Sequence, residues 1–161
     1  MTSEDTEGGG VVVVGVDGSE PSRDALRWAV HYARTTGAIV RAVTVWHFPA
    51  SFGWGSALSI PEADLEGDAR AALKATVEQV AGTEGAFTLQ TEVVEGPPAL
   101  MLLRAAADAD LLVVGSRGHG AFAGMLLGSV SEHCVHHANC PVVVIRHPHH
   151  NGLNGTKGAP A

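Results

Sequence analysis

The chain predicts an α/β protein: an open parallel sheet with helices on both faces, three layers in all. Two observations carry this. Short β-branched runs at 10–16, 38–46, 111–114 and 142–145 mostly lack polar alternation, as strands buried on both faces do. Between them lie stretches with apolar residues at helical spacing, so strands and helices alternate along the chain.

In order, 1–9 is polar, ends in glycines and is expected to be a disordered leader. The first strand, 10–16, is broken by Asp17-Gly18-Ser19, where Ser19 or a neighbour caps a helix and Pro21 suits its first turn. Ala25, Leu26, Ala29, Val30 and Ala33 mark the buried face of that helix, and Gly37 ends it. A second strand, 38–46, precedes an aperiodic aromatic loop at 47–61, read as cover for the sheet edge. A second helix, 62–80, buries Ala69, Leu73, Thr76, Val77 and Val80. The third strand, 87–94, alternates. Gly96-Pro97-Pro98 is read as a turn before a short helix at 99–107. Strand 111–114, helix 129–138 and strand 142–145 follow, with Pro141 at the strand's first position, where a missing N–H costs little. Residues 147–161 are rich in turn formers and are expected to form a disordered tail, leaving one domain over 10–146.

Composition narrows the partners. A length of 161 residues is enough to bury a sizeable core. The net charge of −7 argues against duplex nucleic acid and anionic membranes, both of which reward basic patches. Two cysteines make no disulfide framework, the start is acidic, and no apolar run approaches a membrane span; a cytoplasmic protein is expected.

The chemistry concentrates in DADLLVVGSRGHGAFAGMLLGSVSEHC: a strand, a long glycine-rich loop and a helix start. Glycines permit close backbone approach and positive φ, and a helix start offers unpaired N–H groups with partial positive charge. Loops this long inside a compact domain are uncommon unless they serve a function or are disordered. The spacing Gly115-x2-Gly118-x9-Gly128-Ser129, joined by Val14-Gly15-Val16-Asp17-Gly18-Ser19, resembles the ATP-binding branch of the universal stress protein family, and the resemblance runs from Val11 to Arg146.

That resemblance implies a five-stranded parallel sheet of order 3-2-1-4-5, Rossmann-like and adenine-nucleotide-binding. The loops after strands one and four then meet where the winding reverses, the usual ligand position in open α/β sheets. It implies ATP, with Mg²⁺ as a candidate companion, held by Gly15, Asp17, Val45, Gly115, Ser116, Arg117, Gly118, Gly128, Ser129, Val130 and Ser131. Gly115 and Gly118 would let the backbone approach ribose and phosphates, while 128–131 would turn N–H groups and hydroxyls to the β- and γ-phosphates. Ser129 also reads as an ordinary N-cap, Arg117 as a phosphate contact or a solvated side chain. Asp17 reads as a partner for ribose, adenine or a Mg²⁺-bound water, or as an Asx-turn residue. Gly15 and Val16 would line the crevice floor, with Val45 beside adenine.

Three functions compete. The first is an ATP-binding regulatory module of the stress response, probed further by its edge strand: family members often form homodimers, and pairing 142–145 with a second copy would cover an apolar edge. The second is an ATPase or adenylyl-transferring enzyme. Against it, the chain lacks GxxxxGK[ST] and a Ser-Gly-Gly turn after strand one; His119 is the sole candidate base beside the loop, and slow hydrolysis by a bound water stays open. No catalytic residue is assigned. The third is a nucleotide-free interaction protein, which an altered loop would favour. The dense His133, Cys134, His136, His137, Cys140, His147, His149 and His150 group straddles a helix, a strand and a tail without CxxC or HExxH, so no zinc site is expected.

Overall fold

A computed structural model describes residues 8–47, 64–82, 86–119 and 124–147. Among them the order is β1 (Val11–Gly15), α1 (Glu20–Thr36), β2 (Ile39–Trp46), α2 (Leu65–Ala81), β3 (Thr88–Glu95), α3 (Pro98–Ala105), β4 (Leu111–Gly115), α4 (Ser129–His137) and β5 (Val142–Ile145). The strands form one parallel sheet in the order β3-β2-β1-β4-β5, as the family resemblance implies.

The unalternating run of β1 has a direct cause. Val12 and Val14 face a core built with α1 and α2, whereas Val13 faces a second core built with α3 and α4. Both pleat faces are therefore dry, and all three valines are fully buried. Each contributes about 1.5–3 kcal/mol by leaving water. Strand β4 repeats the arrangement, with Leu111 and Val113 on the first face and Leu112 and Val114 on the second.

Helix ends largely follow local chemistry. Ser19 is the N-cap of α1 and accepts from the Ser22 N–H, Pro21 lies in the first turn, and Gly37 closes the helix at φ 76°. Asp64 caps α2 by accepting from the Gly67 N–H at 2.8 Å. Helix α3 begins one residue earlier than the reading at 99–107: Pro98 is its first residue, since a missing N–H at that position leaves no bond unmade. The helix also stops sooner, at Ala105, and the chain turns over 106–108.

The aromatic loop expected over 47–61 lies, except for His47, outside the described residues, as do 1–7 of the expected leader and 148–161 of the expected tail. His147, the described residue of that tail, places Nδ1 2.5 Å from Asp24 Oδ2 on α1. No helix among the described residues is long and apolar enough to cross a membrane.

Candidate functional site

The turns after β1 and β4 meet at the C-terminal edge of the sheet, where the connections reverse direction, and a cavity of about 570 Å³ opens there. Gly15, Asp17, Val45, Gly115, Arg117, Gly118, Gly128, Ser129, Val130 and Ser131 all line it. Ser116 lies beneath them, 5% exposed, with its carbonyl accepting from the Gly128 N–H at 2.7 Å and the Ser131 hydroxyl at 3.0 Å.

Those two bonds redefine part of the expected phosphate loop. The Gly128 N–H is already spent on Ser116, and the Ser131 hydroxyl lies between the Ser116 and Gly128 carbonyls, 2.9 Å from the latter. Ser129 is no N-cap: Gly128 occupies that place, and Ser129 is the first helical residue. Having no side chain, Gly128 supplies no capping bond. The N–H groups of Ser129, Val130 and Ser131 have no partner among the described residues, whereas the Glu132 N–H closes the first helical bond to Gly128. Arg117, on the same wall, has no carboxylate partner among the described residues. Three open N–H groups, the positive end of a helix dipole and a guanidinium make this wall fit for an anion.

The glycines act through size rather than backbone freedom. Positive φ within the described part of this loop is confined to Gly124. A Cβ on Gly115 would fall 2.7 Å from the Pro21 carbonyl carbon, so this glycine lets α1 approach β4; the expected role in approaching a ligand is not what its missing side chain faces. A Cβ on Gly118 would fall 2.5 Å from Asp17 Oδ2. At Gly128 the nearest atom would be the Arg117 Cα at 3.4 Å, which is ordinary contact.

Asp17 is an Asx-type turn residue as well as a cavity residue. Its Oδ1 accepts from the Ser19 N–H at 2.9 Å and the Ser19 hydroxyl at 2.5 Å, and its Oδ2 from the His119 N–H at 3.3 Å. Partial burial pushes its carboxyl up, but bonds from Ser19 and Ser22 and the nearby His119 outweigh that and hold it below 3.8. His119 Nε2 lies 2.8 Å from the Asp17 carbonyl oxygen, so the imidazole ties the two loops together across the crevice mouth.

The rest of the cavity is mainly apolar. Val16, Val43, Leu102 and Val114 form its floor, and Ala69, Ala72, Leu73 and Thr76 of α2 form one side. Sequence reasoning assigned Ala69, Leu73 and Thr76 to a buried helix face without seeing that this face borders the site. The one signal available was the small size of Ala69 and Ala72, which leaves space where a core helix would fill it. Among the described residues no group of three or more His, Cys, Asp or Glu is placed to hold a metal ion.

Fold and cavity together define a three-layer α/β protein with a cavity at the reversal point of a 3-2-1-4-5 sheet. Residues 10–146 match the model of the universal stress protein family, and the chain belongs to that family. A universal stress protein of Mycolicibacterium smegmatis is 36% identical over 150 residues, covering 90% of this chain and 50% of the relative. The chain thus spans about half the length of the curated relatives it matches. Among solved structures, universal stress protein UspA from Lactobacillus plantarum is 28% identical at a TM-score of 0.62, over 84% of this chain and 97% of that one. A universal stress protein in complex with cAMP is 32% identical at a TM-score of 0.54, over 84% and 95% of the two chains.

Proposed function

We propose that the cavity binds an adenine nucleotide, ATP first, and that the protein is a regulatory module of the stress response with little or no turnover. The observation that carries this is the open start of α4: three N–H groups without a partner among the described residues, beside Arg117, on one wall of a mainly apolar cavity. An adenine ring suits the apolar part, and a polyphosphate suits the helix start. The similar protein solved with cAMP supports the adenine-nucleotide class. Gly15, Asp17, Val45, Gly115, Ser116, Arg117, Gly118, Gly128, Ser129, Val130 and Ser131 are the residues proposed to form the site, Ser116 by holding Gly128 and Ser131 in place.

Asp17 is the one carboxylate among the described lining residues, and its oxygens already accept from Ser19 and His119. Mg²⁺ entering with ATP would therefore be held chiefly by the phosphates. The reading also includes a cytoplasmic domain over 10–146 and a homodimer paired through β5, a half-buried edge strand of sequence VVVI.

Calorimetric titration with ATP and Mg²⁺, and separately with cAMP, tests the ligand, with product analysis for ADP testing the slow-ATPase alternative. ATP binding that is lost on Gly118→Ala supports the site. A folded chain that binds neither nucleotide and carries none from purification sinks the reading. Light scattering of the full chain reports the homodimer.

A further inference from the structure

We propose that α4 carries a second binding site, for a late first-row divalent transition ion, formed by His133 and His137. The two residues are four apart on one exposed helix face, where side chains meet. Their ring centroids are 4.4 Å apart with the planes inclined at 42°. Two metal–nitrogen bonds of roughly 2.0–2.1 Å, set at the near-right angle of a square-planar or octahedral shell, need nitrogens about 3 Å apart. Rings already this close reach that separation by small side-chain rotations, with no change in the helix.

Electrostatics favours a cation here. His137 ends the helix, at the negative pole of its dipole, and the chain as a whole carries a net charge of −7. His136, by contrast, has its ring centroid 6.4 Å from that of His137 and projects from the next position round the helix. No third His, Cys, Asp or Glu joins the pair among the described residues, so water completes the shell. A two-nitrogen, water-completed site suits Cu²⁺ and Ni²⁺ better than structural zinc, which takes four protein ligands. The site is separate from the cavity: it lies on the C-terminal half of α4, from His133 to His137, whereas the cavity is lined by Ser129, Val130 and Ser131 at its start.

The test is calorimetric titration of NiCl2 into the full chain at pH 7.5. The sequence also holds His149 and His150, so the chain with His149→Gln and His150→Gln serves as the background for every variant. One equivalent of Ni²⁺ is expected to bind that background. His133→Gln and His137→Gln should each weaken binding by roughly a hundredfold, because chelation becomes single-point attachment. His136→Gln should leave it within about twofold, and Ni²⁺ should raise the melting temperature of the background but not of His137→Gln. Three results would overturn the proposal: no binding by the background, binding that survives both His133→Gln and His137→Gln, or equal losses in all three variants.

Discussion

Helices α1 and α4 both begin at the C-terminal edge of the sheet, yet their first turns are built in opposite ways. At α1 the Ser19 hydroxyl accepts from the Ser22 N–H, Pro21 has no N–H to satisfy, and Ser22 returns its hydroxyl to the Ser19 carbonyl at 2.9 Å. At α4 a glycine stands where that serine would be, and three N–H groups at the cavity have no partner among the described residues. The same helix-start physics stabilises the fold in one case and, on the proposed reading, is left for a ligand in the other. An uncapped helix start is thus informative only in contrast with a capped one beside it.

The largest expected effect concerns the contact that brings the two starts together. Gly115→Ala puts a methyl 2.7 to 2.9 Å from the Pro21 carbonyl carbon, Cβ and carbonyl oxygen, and two of these are backbone atoms that cannot rotate away. We expect a loss of about 1–3 kcal/mol in urea denaturation, the usual range for overpacking. A variant as stable as the parent would mean that α1 slides freely on β4. Next comes Ser129→Pro, which removes one open N–H while leaving a sterically acceptable first helical residue, since Gly128 before it is extended at φ −75°, ψ 164°. Stability should hold, and ATP affinity should fall about tenfold or more, as expected when a charge-assisted bond is lost. Unchanged ATP affinity in calorimetry would show that this N–H faces no phosphate.

Undoing the closed start is a smaller change. Ser19→Ala should cost about 1 kcal/mol at pH 7, the typical value of a cap. It also removes the hydroxyl that helps hold the Asp17 carboxyl below 3.8. Because the folded pKa lies below the unfolded one, ionised Asp17 stabilises the fold above about pH 4, and that contribution disappears as pH falls through the folded value. Acid titration followed by circular dichroism should give a shallower fall for Ser19→Ala than for the parent below pH 4. A parallel fall would mean that other bonds set the acidity of Asp17.

Much of the architecture was readable because its causes are local. Val12, Val13 and Val14 form an unbroken apolar run because both faces of β1 are covered, and Gly37 stops α1 because only a small residue suits its left-handed backbone. The inner wiring of the site was not readable, because it rests on contacts between residues distant in sequence. Nothing around Gly115 announces that Pro21 will lie against it, and nothing in GSVS tells that Ser131 turns its hydroxyl to Ser116 rather than to the cavity. The spacing of the glycines located the loop, but which N–H groups it leaves open depends on how Ser116 folds under α4.

The smallest effect is also the most direct conversion of one start into the other. Gly128→Ser gives α4 the cap that α1 has, at a position whose backbone is already extended and where a Cβ meets nothing closer than 3.4 Å. Serine exceeds glycine as a cap by only a few tenths of a kcal/mol, so the ligand-free protein should melt slightly higher than the parent. The new hydroxyl would then accept from an N–H of Val130 or Ser131 that a phosphate would otherwise engage, and ATP affinity should fall as stability rises. That opposed movement is the sharpest reading of the comparison, because a purely structural glycine would give a loss, or no change, in both quantities. Thermal denaturation and calorimetry on the same preparation measure the pair. Higher stability with undiminished ATP affinity would mean that the open start of α4 is a fold feature and that the anion site lies elsewhere on the cavity wall.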